Sequence, residues 1–197
     1  MIELPSCPAP NGASPSLYDR GYTVEGAAGG ASLRVDRPGS RYRIAVTYPV
    51  MDAETARIFV SRLIRAKSQG LRIPYPLQGV NQGSAGAPVV DGADQQGTSI
   101  AIRNCTPGHR FKEGYWLSIE GADGQHYLDN IAATVDAGAD GTCTLPLSLP
   151  LRTPFADGAA VHAAKPMIEG LVEGDEVNWN LALAGLAQLS FAIREAE

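Results

Sequence analysis

The sequence predicts a mainly β protein: a β-sandwich with one flanking α-helix, carrying an inserted all-β barrel or sandwich module. Three observations predict it. Gly (22) and Pro (14) are plentiful in a chain of 197 residues, and frequent turn residues favour many short strands. Residues 41–48 alternate between an apolar set, Tyr42, Ile44, Val46 and Tyr48, and an outward set, Arg41, Arg43, Ala45 and Thr47; period two is the signature of a half-buried strand. Only one stretch, residues 52–69, repeats apolar residues at helical spacing.

Taken in order, residues 1–16 are rich in Pro, Ser, Gly and Asn and read as an extended N-terminal arm. Residues 20–25 and 31–36 form two strands around the turn Gly26–Gly30, and Arg37-Pro38-Gly39-Ser40 is a turn. After strand 41–48, Pro49 is expected to break the pairing. Asp52 then serves as N-cap with Glu54 in the first turn. Ala56, Phe59, Val60, Leu63 and Ala66 make the buried helix face, and Gly70 stops the helix. Residues 71–77 resume as a strand interrupted by Pro74 and Pro76, hence an edge. The Gly-rich tract 78–97 is a loop and the domain junction.

Residues 98–166 read as all-β, with strands near 98–103, 115–120, 125–135, 142–147 and 159–163. Ala-Asp-Gly recurs at 122–124, 139–141 and 156–158, which is repeated turn chemistry. In the last stretch Val177, Trp179, Leu181 and Leu183 share one face, so Trp179 is expected in the core. Leu189, Phe191 and Ile193 share another, with Ser190 and Arg194 outward. These strands resemble the first module more than the second. The division expected is therefore 1–16 as arm, 17–86 with 167–197 as one discontinuous domain, and 87–166 as the inserted module.

The net charge of −5 is a poor basis for tight DNA binding, which needs clustered Lys and Arg. Residues 1–75 carry +4, residues 76–166 carry −4 and residues 167–197 carry −5, an asymmetry suited to complementary faces. Cys7, Cys105 and Cys143 lack CxxC spacing and read as free thiols of a reducing compartment. The first ten residues hold no apolar run of the signal-peptide kind, and no stretch reaches 18 apolar residues.

Chemistry-bearing motifs are scarce. Gly83-Ser84-Ala85-Gly86 is not a nucleophile elbow, Gly26–Gly30 lacks dinucleotide-loop spacing, and there is no Walker A sequence. His109, His126 and His162 fall in the central module with Cys105 and Cys143, but their spacing matches no zinc pattern. Asp91, Asp123, Asp140 and Asp157 are accounted for by turns. The expectation is no catalytic residue, no metal and no cofactor. The candidate contact residues are Trp116, opposite the apolar set Tyr115, Leu117 and Ile119, and the helix cations Arg57, Arg62 and Arg65, with Lys67 nearby. A carbohydrate-binding module using Trp116, Tyr115 and Tyr127 is the alternative.

The order of parts resembles the distal tail and tail-hub proteins of long-tailed phages and gene transfer agents. The matching stretches are residues 41–51 leading into the helix from Asp52, residues 74–77 and residues 177–195. The inserted module resembles others of such proteins in Lys112-Glu113-Gly114-Tyr115-Trp116-Leu117-Ser118-Ile119, Pro150-Leu151-Arg152 and Asp157-Gly158-Ala159-Ala160-Val161. The resemblance implies a tail-tube-like β-sandwich and a non-enzymatic virion protein, made in the host cytoplasm and placed at the tail tip. It implies a homo-oligomer, a ring of six closed by head-to-tail contacts. The tail tube would meet one side and the hub or fibre proteins the other, with no membrane partner and DNA only in non-specific passage through an acidic channel. A tube or terminator ring is the alternative within the same class.

Overall fold

The structure, a computed structural model, describes residues 1–26, 29–35, 39–180 and 187–195. Arg37, Pro38, Leu181 and Leu183 lie outside the described residues. The chain is mainly β with a single helix. The strands are β1 (Ile2–Glu3), β2 (Gly12–Tyr18), β3 (Tyr22–Val24), β4 (Leu33–Val35) and β5 (Arg41–Met51), then helix α1 (Ala53–Gln69). They continue with β6 (Leu71–Pro74), β7 (Gly86–Val90), β8 (Ser99–Cys105), β9 (Arg110–Phe111), β10 (Trp116–Glu120) and β11 (His126–Asn130). Last come β12 (Val135–Asp136), β13 (Cys143–Pro146), β14 (Val161–His162), β15 (Met167–Val172) and β16 (Ala187–Glu195).

Six strands form one sheet in the order β1-β6-β15-β16-β5-β2. Tyr42, Ile44, Val46 and Tyr48 of β5 are buried as their alternation requires, and the same face of β5 meets two different covers. Tyr48 packs edge-on against Phe59 of α1 at 5.0 Å, and Tyr42 edge-on against Trp116 of β10 at 5.0 Å. The helix begins where the Asp52 side chain accepts from the Thr55 N–H, and Gly70 ends it with its N–H on the Ala66 carbonyl. Phe59, Leu63 and Ala66 are wholly buried, each large side chain worth about 1.5–3 kcal/mol of transfer free energy.

Residues of the central stretch build smaller sheets: β13-β8-β7, β11-β10-β14 and the pair β12-β9. They surround a second apolar cluster that includes Ile100, Ile102, Phe111, Leu117, Ile119, Leu145 and Phe155. None of these sheets closes into a barrel among the described residues. The β10–β11 hairpin serves both cores. Leu117 and Ile119 belong to the second cluster, whereas Leu128 belongs to the first and Trp116 packs against it.

Several expectations are corrected. The N-terminal arm is not separate: β1 pairs in parallel with β6, and β2 pairs along β5 from Gly12↔Thr47 to Tyr18↔Arg41. Pro49 does not end β5, which runs to Met51. The strand at residues 71–74 is no edge, since β1 and β15 flank it; Pro74 sits at its last position and β1 reaches only Leu71 and Arg72. Tract 78–97 contains strand β7. Trp179 is 42% exposed, because it makes only an isolated bridge to Leu189 and does not lie within a strand. Strand β15, absent from the sequence reading, occupies the centre of the sheet.

The recurrent Ala-Asp-Gly is turn chemistry of a specific kind. In Gly121–Gln125 and Gly138–Thr142 the first Gly N–H donates to the fifth carbonyl and the last Gly N–H to the first carbonyl. Gly124 and Gly141 take φ of 76° and 75°. Both are three-residue loops with glycine in the left-handed position, longer than the two-residue turn that Asp-Gly suggests, and the first closes the β10–β11 hairpin. The third copy differs: Asp157 accepts from the Gly92 N–H and pairs with Arg103.

Candidate functional site

Three surfaces and two polar clusters, one buried and one partly exposed, hold the residues that could act. The first surface is the open edge of the six-stranded sheet. Strand β2 is exposed along most of its length, and β3 and β4 pair with each other rather than with the sheet. Leu17 (49%), Val24 (45%) and Leu33 (64%) are left in water here. Exposed apolar side chains on an unpaired edge strand and on a two-stranded hairpin mark contact surface.

The second surface is the outer face of α1. Arg57 and Arg65 are exposed on it, alternating with Ile58 and Ile64. Arg62 is not available in the same way, since its guanidinium donates to the Glu3 carbonyl at 2.7 Å and ties the helix to β1. Lys67 likewise turns back to the carbonyls of Val172 and Gly174.

The third is a shallow depression between Ala13 and Pro15 of β2, Tyr75 and Val80, with Trp116 in its wall. Trp116 is half-buried, tilted on Tyr75 at 4.5 Å and edge-on to Tyr42. Its backbone N–H donates to Gln82, whose amide returns to the Trp116 and Ala163 carbonyls. Trp116 is therefore a wedge between the two cores. Tyr115 and Tyr127 pack against the second core, and Tyr127 meets Phe155 edge-on at 5.6 Å. The three aromatics of the alternative sugar-binding reading are divided between the two cores and make no common stacking surface.

The first buried cluster lies between the cores. The Glu195 carboxylate accepts from the backbone N–H of Tyr42 at 2.7 Å, from that of Leu128 at 2.9 Å, and from Arg152 at 2.5 and 3.0 Å. Arg152 also donates to the Leu128 carbonyl. Asp129 is 2% exposed beside them, with Oδ1 unpaired. Burial, partly offset by Arg152 and reinforced by Glu195, pushes its carboxyl up to about 8. A related bridge joins Arg72 to Glu169 at 2.5 Å and to the Gly124 carbonyl. The sequence offered no sign of these groups, because partners such as Tyr42 and Glu195 lie more than 150 residues apart.

The second cluster gathers Glu120, His126 and His162, of which only His126 is buried, with ligand atoms within 4.8 Å of one another. The two imidazole rings are 4.8 Å apart. His109 stands elsewhere, edge-on to Phe111. Cys105 and Cys143 carry free thiols that burial pushes up, that of Cys143 to about 12, so they remain protonated and are not among the clustered donors.

No protein-family model matches the chain, and no curated protein matches it. No helix among the described residues is long and apolar enough to cross a membrane.

Proposed function

We propose that the chain is a non-enzymatic subunit of a phage-type tail tip, a distal tail ring that joins the tail tube to the hub and host-recognition parts. The observation that carries this reading is exposed apolar surface: Leu17 stands on the edge strand β2, and Val24 and Leu33 on the separate β3–β4 hairpin. A ring subunit needs such a surface, because head-to-tail contacts place one patch of each copy on a different patch of the next. The helix face with Ile58 and Ile64 between Arg57 and Arg65 supplies a second patch of mixed character. The net charge of −5 suits a channel that lets DNA pass without adhering. A tube or terminator ring would use the same surfaces.

Negative-stain images and light scattering of the purified protein test this. The expected result is a closed ring, six copies in the simplest case. Val24→Glu with Leu33→Glu should release monomers whose circular dichroism is unchanged. A wild-type protein that stays monomeric at every concentration tried would end the proposal.

A further inference from the structure

The cluster of Glu120, His126 and His162 belongs neither to the exposed edge nor to the helix face. Each residue comes from a different strand of one small sheet. Glu120 sits opposite His126 in the β10–β11 register, and Ser118, one pleat along β10 from Glu120, sits opposite both Leu128 of β11 and His162 of β14. Period two therefore puts Glu120, Ser118, His126 and His162 on one face. Three adjacent strands thus deliver a carboxylate and two imidazoles to one point by register alone.

Two features of that point go unexplained by ordinary packing. His162 Nε2 is closed off from solvent and has no hydrogen-bond partner. Its nearest acidic atom, Glu120 Oε2, is 3.6 Å away, which is beyond a hydrogen bond. A buried polar atom left without a partner costs free energy. The His126 ring is also held ready: its Nδ1 lies 3.4 Å from Ser118 Oγ, which is itself anchored by the Met167 N–H at 2.9 Å. A ligating imidazole typically has its other nitrogen oriented in this manner. The nearby Arg72 charge is neutralised by Glu169 at 2.5 Å.

We propose that Glu120, His126 and His162 form a binding site for one divalent transition-metal ion of the zinc class. Imidazole and carboxylate donors favour such ions over Mg2+ or Ca2+, which prefer all-oxygen shells. With bonds of about 2.0–2.2 Å, the donors must draw together from their present separations of up to 4.8 Å. Glu120 and His162 have partly exposed side chains, 41% and 39%, and can make that movement by side-chain torsions. Two histidines and one glutamate leave a fourth position for water or a side chain of another copy. The ion would cross-link β10, β11 and β14. Strand β14 has only two residues and gains most from the link. This site does not depend on the ring reading.

The full chain, stripped with a chelator, is titrated with Zn2+ alone by calorimetry. One equivalent should bind and raise the melting temperature. His162→Gln and Glu120→Gln, both at partly exposed positions, should each weaken binding at least ~10-fold and abolish the thermal shift. His126 is buried, so it is followed in the wild-type protein: the imidazole nitrogen resonances of His126 and His162 should move together with added Zn2+ while His109 stays. Unchanged affinity in both variants would overturn the proposal. So would the absence of binding, or a thiolate charge-transfer band with Co2+ showing that the cysteines hold the ion.

Discussion

Glu195 and Arg152 form a two-point ion pair, at 2.5 and 3.0 Å, between the last strand of the six-stranded sheet and the segment that follows β13. Their side chains are 2% and 12% exposed. The carboxylate also takes the Tyr42 and Leu128 N–H groups, so its acceptor sites are used and its burial is compensated. Removing only the cation leaves an uncompensated buried charge. Arg152→Ala should cost about 3–5 kcal/mol in urea unfolding. A loss near that of an exposed pair would show that water replaces the guanidinium.

Asp129 sets a pH dependence of stability. Its folded pKa is about 8, against about 3.9 in an unfolded chain. Between those values the native state holds a proton that the unfolded state has released, so stability falls as pH rises from about 4 to about 8. The charged and titratable groups facing it are Arg152, Glu195 and Tyr42. Asp129→Asn removes the titration. The variant should gain on wild type as pH is raised from about 5 to about 9, read from urea midpoints. Parallel pH profiles would rule out a protonated Asp129.

Gly170 has no room for a side chain. A Cβ built there would lie 1.9 Å from the Arg194 carbonyl oxygen and 2.7 Å from the Glu195 Cα, both backbone of the paired strand. Gly170→Ala must part β15 from β16 and displace Glu195 from its donors. A destabilisation of at least about 1–3 kcal/mol is expected, with Arg152→Ala adding less than its full cost on that background. Full additivity would separate the two sites.

Trp116 reports on the joint between cores. Trp116→Ala should cost about 3 kcal/mol and lower the melting temperature in a single transition, because Tyr42 and Tyr75 lose a shared neighbour. Trp116→Phe should recover part of that loss. If Trp116→Ala instead left stability intact and abolished binding to a glycan array, the ring would be a recognition platform.

Much of the fold was legible locally. The alternation of Tyr42, Ile44, Val46 and Tyr48 and the helix from Asp52 to Gly70 follow from nearest-neighbour geometry. The errors share one cause. Pro49 was expected to break β5, yet the strand continues to Met51 against β16. Trp179 was placed inside on its pattern, yet it has only one bridge partner. Strand β15 carries Glu169 and Gly170 in its middle, which spoils any alternation, and it is a strand because β6 and β16 pair on both sides.

The candidate sites divide along the same line. His126 and His162 stand out as residue types, but 36 positions separate them and no linear spacing marks a ligand set, and Glu120 lies in ordinary strand sequence. Their meeting is decided by the β10–β11 and β10–β14 registers. By itself the amino-acid order determined a β-rich chain with one capped helix and Gly-bearing hairpin loops, since those depend on interactions a few residues apart. Only the tertiary structure decided which strand sits at an edge, which charge is buried with a partner, and which donors converge. Those outcomes depend on contacts between distant segments, whose free energy is realised only once the chain has closed on itself.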